Sequence, residues 1–583
     1  MTMLNRQTGY PSVDKPWLKY FKPEDRGFEI PNINVYEYLV DFNKDNLSQI
    51  ALEYFGTKVS YGKLISNIDR CAEAFEKLDI KQGDVVSFCT PSTPEIYYAF
   101  FALNKIGAIA NLIDPRTNAS RIGDFIFNSD SRVVIYIDIS YGKIKQILED
   151  KRIEKAIAVS VADSLKTVKK IGYALKARSV AGKCPRDGEK YISWKCFFEK
   201  GSANNSESKV INTDSNKTDL AAGIIYTSGT TGVPKGAIIS NKNMIAMVLQ
   251  AKCFCLPWDK GDVFLGIMPP FIAYGLVIGF VMPLCRGMKV VIIPKFEVEK
   301  FDLYIEKIKP NHIMGVPAYV ESLTRSRRLS QKELGFLKTV IVGGDKMNPE
   351  EEVIVNEFLQ SHGADCRVIK GYGMTEMSSC AVIPVDSESN KIGSVGVPSM
   401  LNNIKVIDPE TGREMGYNEV GEICLSGPVL IDGFWKNESE TKRVFRMEDG
   451  IRWIHTGDRG YIDEDGVVFF NDRVKRIIIR SDGHNVWPSD SERIIEKNPD
   501  IENCCVVGLK DKTAGQGSVV SAFIVLKKEA TDRKNKVIED LKQELLKNLP
   551  TRDVPIQYYA IDHLPLTDVG KIDYRALENE YNG

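Results

Sequence analysis

Tyr226-Thr227-Ser228-Gly229-Thr230-Thr231-Gly232-Val233-Pro234-Lys235-Gly236 is a run of hydroxyl residues and glycines that carries one lysine. Apolar segments bracket it, residues 221–225 before and 237–239 after, and both read as strands. The composition suits a polyphosphate. Glycines let backbone N–H groups approach an anion closely, hydroxyls donate further hydrogen bonds, and a lysine supplies a mobile positive charge. A surface loop or hairpin turn would use some of the same residues, but a stretch this rich in Gly, Ser and Thr exceeds what a turn needs. The P-loop pattern G-x-x-x-x-G-K-[ST] does not fit, because Pro234 precedes Lys235 and Gly236 follows it.

Working outward, 583 residues are too many for one core, so at least two domains are expected. Hydrophobic residues make up 43% and charged residues 27%, the balance of a soluble globular protein. A net charge of −1 gives no electrostatic case for nucleic acid. The twelve cysteines include no C-x-x-C pair, and the N-terminus has no secretory signal pattern, so reduced thiols in a cytoplasm are expected. The five histidines are scattered, which argues against a zinc site. The longest apolar run, 274–285, is too short to span a bilayer and contains Pro283.

Residues 1 to about 30 are polar and proline-punctuated, and read as an arm packed on the surface. Strands are expected at 50–55, 85–89, 107–113, 133–137, 156–161, 263–267, 290–293, 313–316 and 339–342. Helices are expected at 35–42, 61–78, 97–106, 144–153, 242–255, 276–284 and 301–307. Strand and helix alternate, which argues for parallel sheets covered by helices. Residues 183–217 are polar and rich in Ser and Asn, with little periodicity beyond 191–198, and read as a loop or small lid. From about residue 404 the pattern turns β-rich. From about 474 a smaller α+β unit begins, with strands at 504–508, 519–526 and 558–561 and a helix at 537–549. The expected domains are 1–471, with its β-rich part at about 400–471, a hinge at 472–476, and a small unit at 477–583.

Four more motifs stand downstream. Gly371-Tyr372-Gly373-Met374-Thr375-Glu376 places glycines on both sides of a tyrosine, which would expose its ring as a base-stacking platform. Its Glu376 could hold Mg²⁺ that bridges phosphate oxygens. Thr456-Gly457-Asp458 sets an aspartate on an apparent turn, where it could take two ribose hydroxyls. Asp472-Arg473-Val474-Lys475 is followed by Gly483 and Pro488. Gly570-Lys571-Ile572-Asp573 lies near the end. Singly, each has an ordinary structural reading as a turn, a cap or a solvated side chain.

In this order and at these separations, the motifs resemble the adenylate-forming superfamily of acyl-CoA synthetases, adenylation domains and luciferases. The resemblance runs from about residue 35 to 577. It implies a large N-terminal domain of doubly wound α/β sheets with a β-rich subdomain, and a small mobile α+β C-terminal domain. It also implies an ATP-dependent acid–thiol ligase. Such an enzyme activates a carboxylic acid as an acyl-adenylate, releases pyrophosphate, and passes the acyl group to CoA. The implied cofactors are ATP, Mg²⁺ and coenzyme A, or a carrier protein's phosphopantetheine. Carried over residue by residue, Thr227, Ser228, Gly229, Thr230, Thr231, Gly232 and Lys235 would hold the β- and γ-phosphates. Gly343, Gly344 and Asp345 with Gly371, Tyr372 and Gly373 would form the adenine slot. Thr375 would meet the α-phosphate, Glu376 the metal, and Asp458 and Arg473 the ribose. Lys571 would bridge the acyl carboxylate and the α-phosphate as the main catalytic residue. Asp472 and Lys475 would form the hinge of domain rotation, and Gly483 would help form the thiol tunnel.

The segment 476–482 is about one residue longer than the family's common pattern, which leaves Arg480, His484 and Trp487 without assigned roles. Many acyl- and aryl-CoA synthetases carry His where this chain has Ile272, and amino-acid adenylating domains place Asp near there. With neither, Phe271, Ile272, Tyr274, Gly315, Val316 and Ser379 would line a pocket for the uncharged acyl or aryl group of a fatty or aryl acid rather than for an α-amino acid. Two alternatives stand beside the acyl-CoA synthetase reading. One is a stand-alone ligase that loads an acyl carrier protein. The other is a non-catalytic nucleotide-binding protein on the same fold.

Overall fold

The structure is a computed structural model of the chain. It describes residues 8–166, 184–185, 187–201, 217–227, 234–254, 256–473, 478–482, 485–510, 517–566 and 572–582. The chain divides into two compact units. The first comprises Met1–Lys405, Cys424–His455 and Ile462–Phe469; the second comprises Val406–Ile423, Thr456–Tyr461 and Phe470–Gly583.

The first unit is built on two sheets. In the larger, eight strands follow the order Gly433–Phe434, Lys235–Ser240, Ala221–Thr227, Ile109–Ile113, Val85–Cys89, Val133–Ile137, Lys155–Val159 and Tyr191–Ser193. From Ala221–Thr227 onward every pairing is parallel, whereas Lys235–Ser240 runs antiparallel to Ala221–Thr227. The central strands Val85–Cys89, Ile109–Ile113 and Val133–Ile137 are buried at every position. That is why they read as near-continuous apolar runs, interrupted at Ser87 and Asn111, rather than as alternation. In the second sheet the order is Val368–Lys370, Thr339–Val342, His312–Gly315, Val263–Gly266, Lys289–Ile292, Ile50–Tyr54 and Thr57–Ser60. All its pairings are parallel except the last, a hairpin.

The helices follow from local chemistry. Ser60 Oγ accepts from the Lys63 N–H at 3.3 Å and caps the helix Tyr61–Glu76. Pro94–Ile106 starts on a proline and stops at Gly107, whose φ of 75° closes the helix in the left-handed conformation. Nearly all of its residues are buried. Tyr97 stacks on Phe280 with centroids 3.7 Å apart, and Phe100 and Phe101 meet the same ring.

Phe280 belongs to a segment that departs from expectation. The apolar run was expected as a helix over 276–284. Tyr274–Val281 instead winds as a π-helix and passes into the short α-helix Met282–Cys285. The expected 242–255 helix ends earlier, as Asn241–Gln250, and Cys255 lies outside the described residues. The 144–153 helix is Tyr141–Glu149. The arm at the start is more than a surface layer, since Trp17 and Phe21 are buried. The periodic part of 183–217 forms the strand Tyr191–Ser193 and the helix Trp194–Lys200, and the Ser/Asn-rich part at 202–208 lies outside the described residues. Two unanticipated helices, Ala119–Asn128 and Pro349–Ser361, also cover the sheets.

In the second unit, Ile501–Lys510, Ser518–Leu526 and Gln557–Ala560 form a three-stranded sheet. Its two faces are read off by alternation. Cys504, Val506, Val520 and Ala522 pack with Ile495, Val537, Leu541 and Leu545, whereas Cys505, Val507 and Phe523 pack with Leu564 and Leu577. The described cysteines are all free thiols. Among the described residues no helix is long and apolar enough to cross a membrane.

Candidate active site

In parallel α/β sheets the loops that bind ligands leave the carboxyl ends of the strands. The motifs of the first unit lie at such ends. Thr227, Gly315, Val342 and Lys370 each close a strand, and the next residues are 228–233, Val316, Gly343 and Gly371.

Gly343 and Gly371 meet. The Gly343 N–H donates to Gly315 O at 3.1 Å, and the Gly371 N–H donates to Val342 O at 2.8 Å. A Cβ on Gly343 would stand 3.3 Å from Gly371 O and 3.5 Å from Tyr274 Cζ. The Tyr274 hydroxyl donates to Gly315 O at 3.4 Å, and burial raises its phenol well above the ordinary range. Gly344 takes φ +82°, and its Cβ position faces Val316 Cγ1 at 3.7 Å. The structure therefore brings Tyr274, Gly315, Val316, Gly343, Gly344 and Gly371 together. Asp345 is exposed, and its Oδ1 accepts from the Lys346 N–H.

Past Gly371 the loop doubles back tightly. The Tyr372 N–H donates to Val382 O at 2.8 Å. At 8% exposure the tyrosine is buried, not displayed by its flanking glycines, because the returning segment through Val382 pairs beside it. A Cβ on Gly373 would lie 2.0 Å from Ser379 O, so only glycine fits. Thr375–Met377 forms a 3₁₀ turn, which leaves Thr375 and Glu376 half-buried. Ser378 and Ser379 follow at φ 54° and 122°. Neither serine's natural preference is the left-handed region, so strain is held in the backbone beside the loop. Both buried hydroxyls, and that of Thr227, find no hydrogen-bond partner among the described residues. Unpaired buried hydroxyls are costly, and they suit a site that a ligand's oxygens complete.

Lys235 was expected to be a mobile charge. It is instead buried at 9% exposure and ion-paired with Glu440, with its ammonium 5.8 Å from the Phe434 ring centroid. Arg443, which donates to Glu440 Oε2 at 2.8 Å, and then Lys235 hold the Glu440 carboxyl at about 2. Glu440 lies 205 positions away in sequence, and nothing local to Lys235 signals it.

Along the expected acyl pocket, Phe271 is buried and Ile272 is half-buried. The Arg116 guanidinium sits 5.4 Å from the Phe271 ring, while a bidentate contact ties it to Asp114. Gly315 abuts Tyr319, whose Cδ2 would be 3.0 Å from an added Cβ. Arg116 and Tyr319 were not anticipated.

Asp458 belongs to the second unit. It sits within the strand Ile451–Ile462 rather than on a turn, and it is buried. Its N–H donates to Thr456 Oγ1 at 3.0 Å, and the Thr456 hydroxyl donates to Ile423 O at 2.6 Å. Asp472 and Arg473 end the strand Val468–Arg473, with their side chains outside the description. Ser228, Gly229, Thr230, Thr231, Gly232, Lys475, Gly483, His484 and Lys571 lie outside the described residues.

Residues 41–435 match the AMP-binding enzyme family, and residues 490–571 match the AMP-binding enzyme C-terminal domain. The chain belongs to the AMP-binding enzyme family. Among its relatives in that family is a long-chain-fatty-acid–CoA ligase of Bacillus subtilis (strain 168), 28% identical over 97% of this chain and 98% of the relative. A probable 4-coumarate–CoA ligase 2 of Dictyostelium discoideum is 32% identical over 79% of each chain. The fold matches that of a benzoate CoA ligase from Burkholderia xenovorans LB400, with a TM-score of 0.76 and 20% identity over 94% of this chain and 100% of the other. The AMP-binding fold thus accounts for the α/β architecture with its large N-terminal and small C-terminal domains.

The donors fit a hard cation held between phosphates. Glu376 offers a half-buried carboxylate, and Thr375 a neighbouring hydroxyl. Magnesium commonly takes one or two carboxylates and lets substrate phosphates complete its shell.

Proposed function

We propose that the protein is an AMP-forming acid–CoA ligase acting on a fatty or aryl acid whose acyl or aryl group is uncharged. The observation that carries this reading is the convergence of Gly343–Gly344 and Gly371 beside Tyr274 within a chain of the AMP-binding family.

The chemistry runs in two halves. The acid's carboxylate oxygen attacks the α-phosphorus of ATP, the bond to the bridging oxygen breaks, and pyrophosphate leaves. The CoA thiolate then attacks the acyl carbon, the bond from that carbon to the phosphate oxygen breaks, and AMP leaves. The first half sets an anionic nucleophile against a polyanion, so fixed donors and positive charge are needed around the phosphates. The segment from Thr227 through Ser228, Gly229, Thr230, Thr231 and Gly232 supplies hydroxyls and amides for the β- and γ-phosphates. Lys235 adds a cation that Glu440 holds in place. Gly343, Gly344, Gly371 and Gly373 let backbone close around the adenine, beside a largely covered Tyr372. Asp345 flanks the same slot. Thr375 faces the α-phosphate. Glu376, with Thr375, would hold Mg²⁺, which neutralises phosphate charge when bound. Asp458 and Arg473 hold the ribose. Lys571 bridges the carboxylate and the α-phosphate.

The second half uses the family's domain rotation, with Asp472 and Lys475 as the hinge in 472–476, Gly483 at the thiol tunnel, and domains 1–471 and 477–583 moving against each other. The apolar Phe271 and Ile272, with Tyr274, Gly315, Val316 and Ser379, favour an uncharged acyl or aryl group, consistent with relatives named for fatty and coumaric acids. The compartment proposed is the cytoplasm.

CoA and a carrier-protein phosphopantetheine present the same thiol. Mass spectrometry separates them: with ATP and the preferred acid, the enzyme should accumulate acyl-AMP, and CoA should convert it to acyl-CoA. Acyl-AMP that persists with CoA and is consumed only by a phosphopantetheinylated carrier protein would assign the alternative.

A further inference from the structure

Lys370 and Glu352 form an ion pair in the interior of the first unit, exposed by 5% and 1%. Lys370 is the last residue of the edge strand Val368–Lys370, directly before Gly371. Glu352 sits in the first turns of the helix Pro349–Ser361, which begins four residues after Asp345. The strand Thr339–Val342 precedes Gly343 and pairs with Val368–Lys370, with Val342 opposite Lys370. The pair therefore closes a ring. One strand leads into Gly343–Asp345, the helix follows, the ion pair crosses to the neighbouring strand, and that strand leads into Gly371–Glu376.

We propose that Glu352 and Lys370 are positioning residues that fix the two nucleotide loops, Gly343–Asp345 and Gly371–Glu376, relative to each other. The proposal rests on the ATP-dependent ligase reading above.

Stability alone does not account for the pair. Taking two charges out of water costs more than their attraction returns unless every remaining lone pair is satisfied. Here Glu352 Oε1 has no hydrogen-bond partner among the described residues, while Oε2 takes both Lys370 and the Gly393 N–H at 3.0 Å. Burial pulls the Lys370 ammonium below its ordinary range, and Glu352 opposes that shift. A costly pair with one defined geometry, placed where two loops part, sets position. The edge strand is held by other side chains too. Asn356 Oδ1 accepts from the Val368 N–H at 2.8 Å, and Asn390 Nδ2 donates to Val368 O at 2.9 Å. Those side-chain contacts hold the far end of the strand; at the end that opens into the loop, where the ladder runs out with the Gly371 N–H on Val342 O, the ion pair is the side-chain contact among the described residues.

The test uses the full chain and four proteins: wild type, Lys370→Met, Lys370→Arg, and the double variant Glu352→Met/Lys370→Met. ATP affinity is measured by titration calorimetry, KM values by pyrophosphate exchange, and Tm by calorimetry. Lys370→Met should lower Tm and weaken ATP by about 10–100-fold, with KM for the acid unchanged. Lys370→Arg, which keeps the charge, should recover most of the affinity. The double variant should regain Tm, because no buried charge is left unpaired, but not ATP affinity. A double variant that regains both would overturn the proposal, as would folded Lys370→Met binding ATP like wild type. If Lys370→Met does not fold, the double and Arg variants decide alone. A wild type that binds ATP but exchanges pyrophosphate with no acid would refute the ligase reading and leave the positioning comparison standing.

Discussion

Gly373→Ala should nearly abolish adenylation without touching any proposed catalytic side chain. The added Cβ would lie 2.0 Å from Ser379 O and 2.6 Å from Cys380 Cα. Both are backbone atoms, so no side chain can swing away. Ordinary contact begins near 3.4 Å, so the two strands of the turn must part by more than an ångström. Ser379 already holds φ 122° and has little freedom to yield. The displacement falls two residues before Thr375 and three before Glu376. A misplacement of about 1 Å near reacting groups costs about 100-fold, or about 2.7 kcal/mol of transition-state stabilisation. Exchange rates against ATP concentration give kcat/KM directly, and calorimetry checks folding. Gly371→Ala is the internal comparison. Its nearest neighbour is the Cys380 Sγ at 3.2 Å, which can give by a few tenths of an ångström, so its loss should stay below about threefold. The steric reasoning fails if Gly373→Ala keeps kcat/KM within about threefold of wild type, or if Gly371→Ala proves the more damaging of the two.

Three further outcomes are expected. Lys571→Ala should remove acyl-adenylate formation while sparing most ATP binding, read by mass spectrometry and calorimetry; retained adenylation would move the bridging role elsewhere. Glu95→Gln should stabilise the protein at pH 8 and not at pH 4. Burial, with Asp163 adding, lifts the Glu95 carboxyl to about 7 against an opposing hydrogen bond from Ser164. Because that folded value lies above the unfolded one of about 4.3, stability falls as pH rises from about 4.3 to 7, by up to about 4 kcal/mol, and is flat above. Equal Tm for both proteins across this range would refute it. Gly315→Ala pushes on Tyr319 at 3.0 Å and should change which acids are used while KM for ATP stays near wild type.

Much of the architecture could be read ahead of the structure because parallel strands buried on both faces leave near-continuous apolar runs, as at 85–89, 109–113 and 133–137. Gly343, Gly344, Gly371, Tyr372 and Gly373 were legible as one candidate nucleotide slot from their motifs, whereas the strict need for glycine at 373 comes from the approach of Ser379 O. What stayed hidden depends on distance in sequence or on the path of a neighbouring segment. Glu440 reaches Lys235 from a helix far along the chain. Glu352 pairs with Lys370 because two strands happen to be neighbours. The glycines beside Tyr372 suggested display, but burial depends on the segment that returns through Val382. The π-helical winding of Tyr274–Val281 also has no period that an apolar run could reveal.

The most direct test is carboxylate-dependent exchange of pyrophosphate into ATP across a panel of fatty, aryl and amino acids, repeated with CoA for each active acid. Exchange with a fatty or aryl acid, and AMP release accelerated by CoA, is the predicted result. Exchange with no acid at all would contradict it and leave a nucleotide-binding protein on this fold.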